Sequence, residues 1–209
     1  MPAATNAADA GLDELTRSTA PARLPAGSSV GSRSAARVGG LTGRSNGNHH
    51  TMAEVLCVIE IAKGSRNKYE WSPEHERFML DRFLSSSVVF PVDYGFIPET
   101  DGGDGDPLDV LVAVSEPTFT GCGVLARPVA VLWLSDQGER EPKVVCVPCD
   151  DPNWESITDV EELPEQLREE IGHFFVAYKA REGHDVSEDG WEGRSAAEQV
   201  IARAQERAR

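Results

Sequence analysis

The chain has 209 residues, and its 35 Asp and Glu against 20 Lys and Arg give a formal charge of −15 and an isoelectric point near 4.7. Residues 1–51 hold three acids and five bases, so the acidity is concentrated in residues 52–209, which argues against nucleic acid as a partner. No apolar run reaches the ~18–20 residues of a membrane span, and the N-terminus lacks the apolar stretch of a secretory signal, so a soluble, cytoplasmic protein with no membrane partner is expected.

Residues 1–51 are rich in Ala, Ser, Gly, Thr and Arg and show no sustained periodicity. They read as a disordered N-terminal extension, with Met52 a candidate start. The pattern changes at Val55, where Val55–Ile61 reads as a strand with Glu60 on the same face as Leu56 and Val58. Lys68–Trp71 and Arg77–Leu84 read as the next strands, with Lys68 and Glu70 on one face. Further strands are expected at Asp109–Val114, Gly123–Leu134 and Lys143–Val147. The later part turns helical: Leu163, Leu167, Ile171, Phe174, Phe175 and Tyr178 recur at helical spacing behind Pro164, and a second helix spans about Ser195 to Arg209. Strands first and helices after make residues 52–209 one α+β domain, a small barrel with helices packed on it. A segment of this length buries enough surface to fold without disulfides.

Between two strands lies Asp101-Gly102-Gly103-Asp104-Gly105-Asp106-Pro107-Leu108-Asp109, four carboxylates in nine residues. A solvated acidic turn is one reading. The other is a cation site, because such carboxylates repel one another unless a cation joins them. Oxygen ligands alone favour a hard divalent ion, Mg²⁺ or Mn²⁺, over zinc. An EF-hand does not fit, since counting from Asp101 its sixth position is Asp106, not Gly, and its twelfth is Val112, not Glu. Lys68, Arg82 and Lys143 lie in or at the start of strands, where a cation among apolar neighbours needs an anion. With Tyr94, Tyr178 and Lys179 they could serve a phosphate-bearing substrate beside the acidic turn, the combination that metal-assisted phosphoryl hydrolysis requires.

Asp104-Gly105-Asp106-Pro107-Leu108-Asp109, Asp93-Tyr94-Gly95-Phe96-Ile97-Pro98, Ile59-Glu60-Ile61, Arg66-Asn67-Lys68-Tyr69-Glu70, Asp81-Arg82, Arg127-Pro128-Val129 and His173–Lys179 stand in one order along the chain. In these motifs it closely resembles the family I soluble inorganic pyrophosphatases, from about Val55 to Arg209. The resemblance implies an OB-like five-stranded β-barrel with flanking C-terminal helices. It implies hydrolysis of pyrophosphate to two orthophosphates with several Mg²⁺ ions per site. By position, Asp104, Asp109, Asp136 and Glu141 would hold metals and Glu60 a further ion. Asp106 would be the general base, a role also given to the carboxylate at the Glu141 position. Lys68, Arg82, Tyr94, Lys143, Tyr178 and Lys179 would hold the phosphates. A homo-oligomer is implied as well, a hexamer in bacterial members.

Three departures from the family pattern stand out. In the loop Asp136–Lys143 the sixth position is Glu141 where Asp is usual, which moves a carboxylate by about 1.5 Å. Phe90 stands where Tyr is common. After Lys179 the usual Gly-Lys gives way to Arg181-Glu182-Gly183-His184-Asp185. A second reading is therefore a paralogue that binds metal or pyrophosphate without efficient turnover. Cys146-Val147-Pro148-Cys149 has redox or zinc spacing but continues a strand and lacks a second pair, so a structural role with reduced thiols is expected. His173, between apolar helix positions, reads as a core or interface residue.

Overall fold

The computed structural model describes residues 54–209. The expectations for residues 1–51, and the candidate start at Met52, lie outside the described residues. Among the described residues eight strands and two α-helices follow in chain order, with two short 3-10 turns ahead of the first α-helix. The first is β1 (Val55–Ile61), followed by the hairpin strands β2 (Asn67–Ser72) and β3 (Arg77–Phe83). Next come β4 (Asp93–Ile97), β5 (Leu108–Val112), β6 (Gly123–Asp136) and β7 (Glu139–Pro148). The chain ends with α1 (Glu165–Arg181), β8 (Val186–Gly193) and α2 (Arg194–Arg207).

The ring runs β1-β4-β5-β7-β6 and closes by pairing β6 back onto β1, which gives the expected five-stranded barrel. Closure leaves no edge within the ring to template aggregation. Among the described strands only β5 and β7 pair in parallel. The long β6 serves two partners along one edge: Gly123–Ala126 pairs with β1, and Ala130–Asp136 pairs with β8. Its other edge carries β7, and that ladder slips between Pro128 and Ala130. A proline has no N–H to donate there, so a bulge beside it is the natural break.

Alternation explains β1, in which Val55, Cys57, Ile59 and Ile61 are buried between more exposed neighbours. By contrast, Val110, Leu111 and Val112 of β5 are all fully buried. Apolar layers cover both faces of the sheet there, one shared with α1 through Ile171, Phe174, Phe175 and Tyr178, the other with α2 through Ala197, Val200, Ile201 and Ala204. The α1 residues recur at i, i+3, i+4 and i+7, one helical stripe. Asp93 is buried at the start of β4 and ties loops to the barrel: it accepts from the Lys63 N–H at 2.7 Å, the Thr118 N–H at 3.1 Å and the Thr118 hydroxyl. Among the described residues no helix is long and apolar enough to cross a membrane.

Several expectations need correction. β8 lies between the helices, so the order is not strands first and helices after. Only Val186 of this polar strand is buried, and its pairing with β6 supplies what its side chains do not signal. β4, read only as a motif, is a strand. β7 begins at Glu139, so the expected loop from Asp136 is a tight hairpin turn through Gln137 (φ 52°) and Gly138 (φ 88°), and Lys143 lies inside the strand rather than opening it. Pro164 precedes α1 instead of occupying its first turn. His173 is exposed on α1, not in the core. The four cysteines are free, Cys57 and Cys146 fully buried.

Candidate active site

A cleft of about 690 Å³ opens on the barrel between the β2–β3 hairpin, the acidic turn and the end of α1. Of the residues singled out in the sequence, Glu60, Lys68, Arg82, Tyr94, Asp104, Asp106, Asp109, Glu141, Lys143, Tyr178 and Lys179 line it. Asp136 does not. It faces an adjoining depression whose walls include Asp104 and Glu141, which border both spaces.

Strand register accounts for the floor. Lys143 on β7 neighbours Asp109 on the parallel β5, and its ammonium bonds both Asp109 and Glu141. Glu141 and Lys143, two apart on one strand, share a face. The Lys143 side chain is 3 % exposed. Burial works against its charge, but Asp109 and Glu141 outweigh it and hold the pKa above the ordinary lysine value. Glu141 also meets Lys179, whose ammonium lies 3.2 Å from Oε2 of Glu141 and 2.7 Å from Oδ2 of Asp136. Burial would raise the pKa of both carboxyls. Lys143 with Lys179 holds Glu141 below its usual range, and Lys179 with His184 does the same for Asp136. The two oxygens of Glu141 thus meet two different lysines.

Tyr94 donates its hydroxyl to Oδ1 of Asp109 at 2.6 Å across the β4–β5 pair. Burial, with Asp109 beside it, pushes the phenol pKa well up, so it remains a donor. Phe90 lies in the core, its ring centroid 4.5 Å from Phe174 and 5.5 Å from Tyr94. It is not among the cleft-lining residues.

The hairpin forms the opposite wall. Lys68 and Arg82 are register partners, an unfavourable pairing of like charges. Glu70 and Asp81 relieve it: Lys68 bonds Glu70 and reaches Asp81 at 3.5 Å, while Arg82 bonds Asp81. On β1, Glu60 accepts from the Trp71 N–H at 3.0 Å. Burial raises its pKa from 4.5 to about 7, against that hydrogen bond and with help from Asp109 and Glu70. Burial, then Asp104 and Asp109, also push the Asp106 pKa up. The acidic turn is closed at its base by buried Thr100, whose hydroxyl donates to the Ile97 carbonyl and accepts from the Leu108 N–H at 2.9 Å. Arg207 of α2 braces the same turn through the Asp101 carbonyl.

Among the described residues no three Asp, Glu, His or Cys side chains converge closely enough to chelate an ion by themselves. Lysine ammonium groups stand between the carboxylates instead. The donor chemistry nevertheless fits a hard divalent cation, because the candidate ligands Glu60, Asp104, Asp109 and Glu141 on the cleft and Asp136 beside it are all carboxylates. Sequence reasoning gave no role to Glu70, Glu182 or His184. All three line the cleft, and the last two come from the segment that departs from the family pattern.

A closed barrel that sets one buried lysine, further cations and an acidic turn around one cleft defines a class, an enzyme that handles a polyanionic substrate through metal-compatible carboxylates. The chain belongs to the inorganic pyrophosphatase family, whose model matches residues 57–209. It is 48 % identical over 158 residues to an inorganic pyrophosphatase of Methanosarcina mazei, covering 75 % of this chain and 94 % of that protein. To one of Streptomyces coelicolor it is 46 % identical over 155 residues, covering 74 % and 95 %. The crystal structure of the inorganic pyrophosphatase from Thermus thermophilus superposes with a TM-score of 0.72 at 38 % identity, over 79 % of this chain and 96 % of that one.

Proposed function

We propose that residues 52–209 hydrolyse inorganic pyrophosphate to two orthophosphates. The observation that carries the mechanism is the cleft, where Lys68, Arg82, Lys143, Tyr178 and Lys179 face the carboxylates of the acidic turn, Glu60 and Glu141. Glu60, Asp104, Asp109, Asp136 and Glu141 would hold Mg²⁺, or Mn²⁺, which when bound neutralises substrate charge and lowers the pKa of a coordinated water.

The chain's own groups divide the remaining work. Lys68 and Arg82 on the hairpin, with Tyr178 and Lys179 at the end of α1, bind phosphate oxygens from opposite walls and orient the anhydride. Lys143 stays protonated between Asp109 and Glu141, so it can stabilise negative charge on the leaving phosphate. Tyr94 keeps Asp109 oriented. Asp106, on the cleft wall beside Asp104, takes up the proton of the attacking water at its carboxylate. A homo-oligomer, implied by the family resemblance, belongs to the same reading.

The test is phosphate release from pyrophosphate, with ATP as control, across a Mg²⁺ titration. Wild type should release phosphate, and Asp106→Asn should lose at least about a hundredfold in kcat, the lower range for removing a general base. Folded wild-type protein that releases none at saturating Mg²⁺ would overturn this reading, and pyrophosphate binding without release would favour the binding paralogue.

A further inference from the structure

Arg82 sits on a hairpin that forms a sheet of its own, apart from the barrel. Its side chain is 42 % exposed, and a long exposed side chain there would sample many rotamers. Besides Asp81 on its own strand, one residue from the far side of the cleft restrains it. Glu182, a hundred positions later in the chain, meets the guanidinium in a two-pronged bond: Nε donates to Oε1 at 2.9 Å and Nη2 to Oε2 at 2.8 Å. Glu182 is itself fixed from behind. It follows directly on α1, its N–H donates to the Lys179 carbonyl at 3.0 Å, and the chain then turns through Gly183 at φ 88°, a left-handed conformation suited to glycine.

We propose that Glu182 is a positioning residue for substrate binding, holding the Nε–Nη2 edge of Arg82 so that the hairpin's phosphate-binding cation keeps a fixed place opposite Lys179 and Tyr178. A guanidinium has five N–H donors. Glu182 takes two and Asp81 one on Nη1, which leaves one donor on each terminal nitrogen for phosphate oxygens. The pair also links the hairpin to the end of α1, so the two walls that carry the substrate-binding cations are joined on one side of the cleft. The mutual pKa shifts agree with this, since Arg82 holds the Glu182 carboxyl below its usual range. The proposal rests on the pyrophosphatase reading and adds to it a residue that touches no reacting atom.

The experiment measures KM and kcat for pyrophosphate at saturating Mg²⁺, with melting temperatures, for the full chain as wild type, Glu182→Ala, Glu182→Gln, Arg82→Lys and the Glu182→Ala/Arg82→Lys double variant. Freeing one rotamer-rich side chain predicts a KM raised about three- to tenfold in Glu182→Ala, with kcat changed less than about twofold because the interaction is equal in ground and transition states. Glu182→Gln should fall between. In the Arg82→Lys background, where no fork remains to be held, Glu182→Ala should add nothing. An unchanged KM overturns the proposal, as does an equal rise in both backgrounds. A lowered KM also overturns it, because Glu182 would then compete with phosphate for Arg82. Should Glu182→Ala not fold, the same comparison is made with Glu182→Gln, and an unchanged KM there is equally decisive. Wild-type protein without turnover overturns the functional reading and this proposal together; normal wild-type turnover with an unaffected Glu182 variant overturns the proposal alone.

Discussion

Glu60 carries a charge that the metal-free fold disfavours, and Glu60→Gln should therefore stabilise it. The carboxyl lies on β1 and accepts the Trp71 N–H at 3.0 Å, a bond that an amide oxygen can keep. Burial moves its pKa from 4.5 to about 7. At about 1.4 kcal/mol per pKa unit, ionised Glu60 costs the folded, metal-free protein about 3 kcal/mol above pH 7. The sign follows from proton counting. Between pH 4.5 and about 7 the unfolded chain has released the Glu60 proton and the native state retains it, so stability falls as pH rises through that window. Below it both states are protonated and the cost vanishes. Glu60→Gln removes this contribution, so with a chelator present it should match wild type near pH 4.5 and melt about 6–12 °C higher near pH 8, given about 2–4 °C per kcal/mol for a domain of this size. Added Mg²⁺ should reverse the order at pH 8, because the ion favours the carboxylate and stabilises the state that binds it. Thermal denaturation at the two pH values, with EDTA and then with Mg²⁺, makes the measurement. If wild type and Glu60→Gln share one pH slope in EDTA, the burial argument is wrong.

Two further predictions concern the frame around the site. A Cβ at Gly95 would lie 1.9 Å from the Val58 carbonyl oxygen and 2.9 Å from the Ile59 Cα, backbone of the neighbouring strand that cannot yield. Gly95→Ala should open the β1–β4 ladder and cost at least about 3 kcal/mol. At Gly172 the nearest atom, 2.0 Å away, is the Glu188 carboxylate tip, which can swing aside, so Gly172→Ala should cost less than about 1 kcal/mol; equal losses in urea denaturation would refute the distinction. Thr100→Val leaves the Leu108 N–H without its acceptor in a buried place and should cost about 1–3 kcal/mol. It should also weaken Mg²⁺ affinity by loosening the acidic turn, whereas Thr100→Ser should recover most of both, and an unchanged unfolding midpoint in Thr100→Val would refute the role given to Thr100.

Much of the fold was legible because the signals are local. β1 announces itself by alternation, β6 by a long apolar run, and α1 by the stripe Ile171, Phe174, Phe175 and Tyr178. β4 and β8 were not legible as strands. β4 holds two glycine-flanking aromatics and β8 has three acids and two glycines among its eight residues, and each becomes a strand because a neighbour offers its ladder. The site divides in the same way. Sequence alone determined that the chain carries an acidic turn with a fixed order of carboxylates, glycines and a proline, and which cations accompany it. Only the tertiary structure decided the pairing: Lys143 with Asp109 across β5 and β7, Lys179 between Asp136 and Glu141, Asp136 outside the main cleft, and Glu182 on Arg82. The physical reason is that a charge can be buried only where a partner of opposite sign is delivered within reach, and ring closure delivers those partners from strands and helix ends far away along the chain.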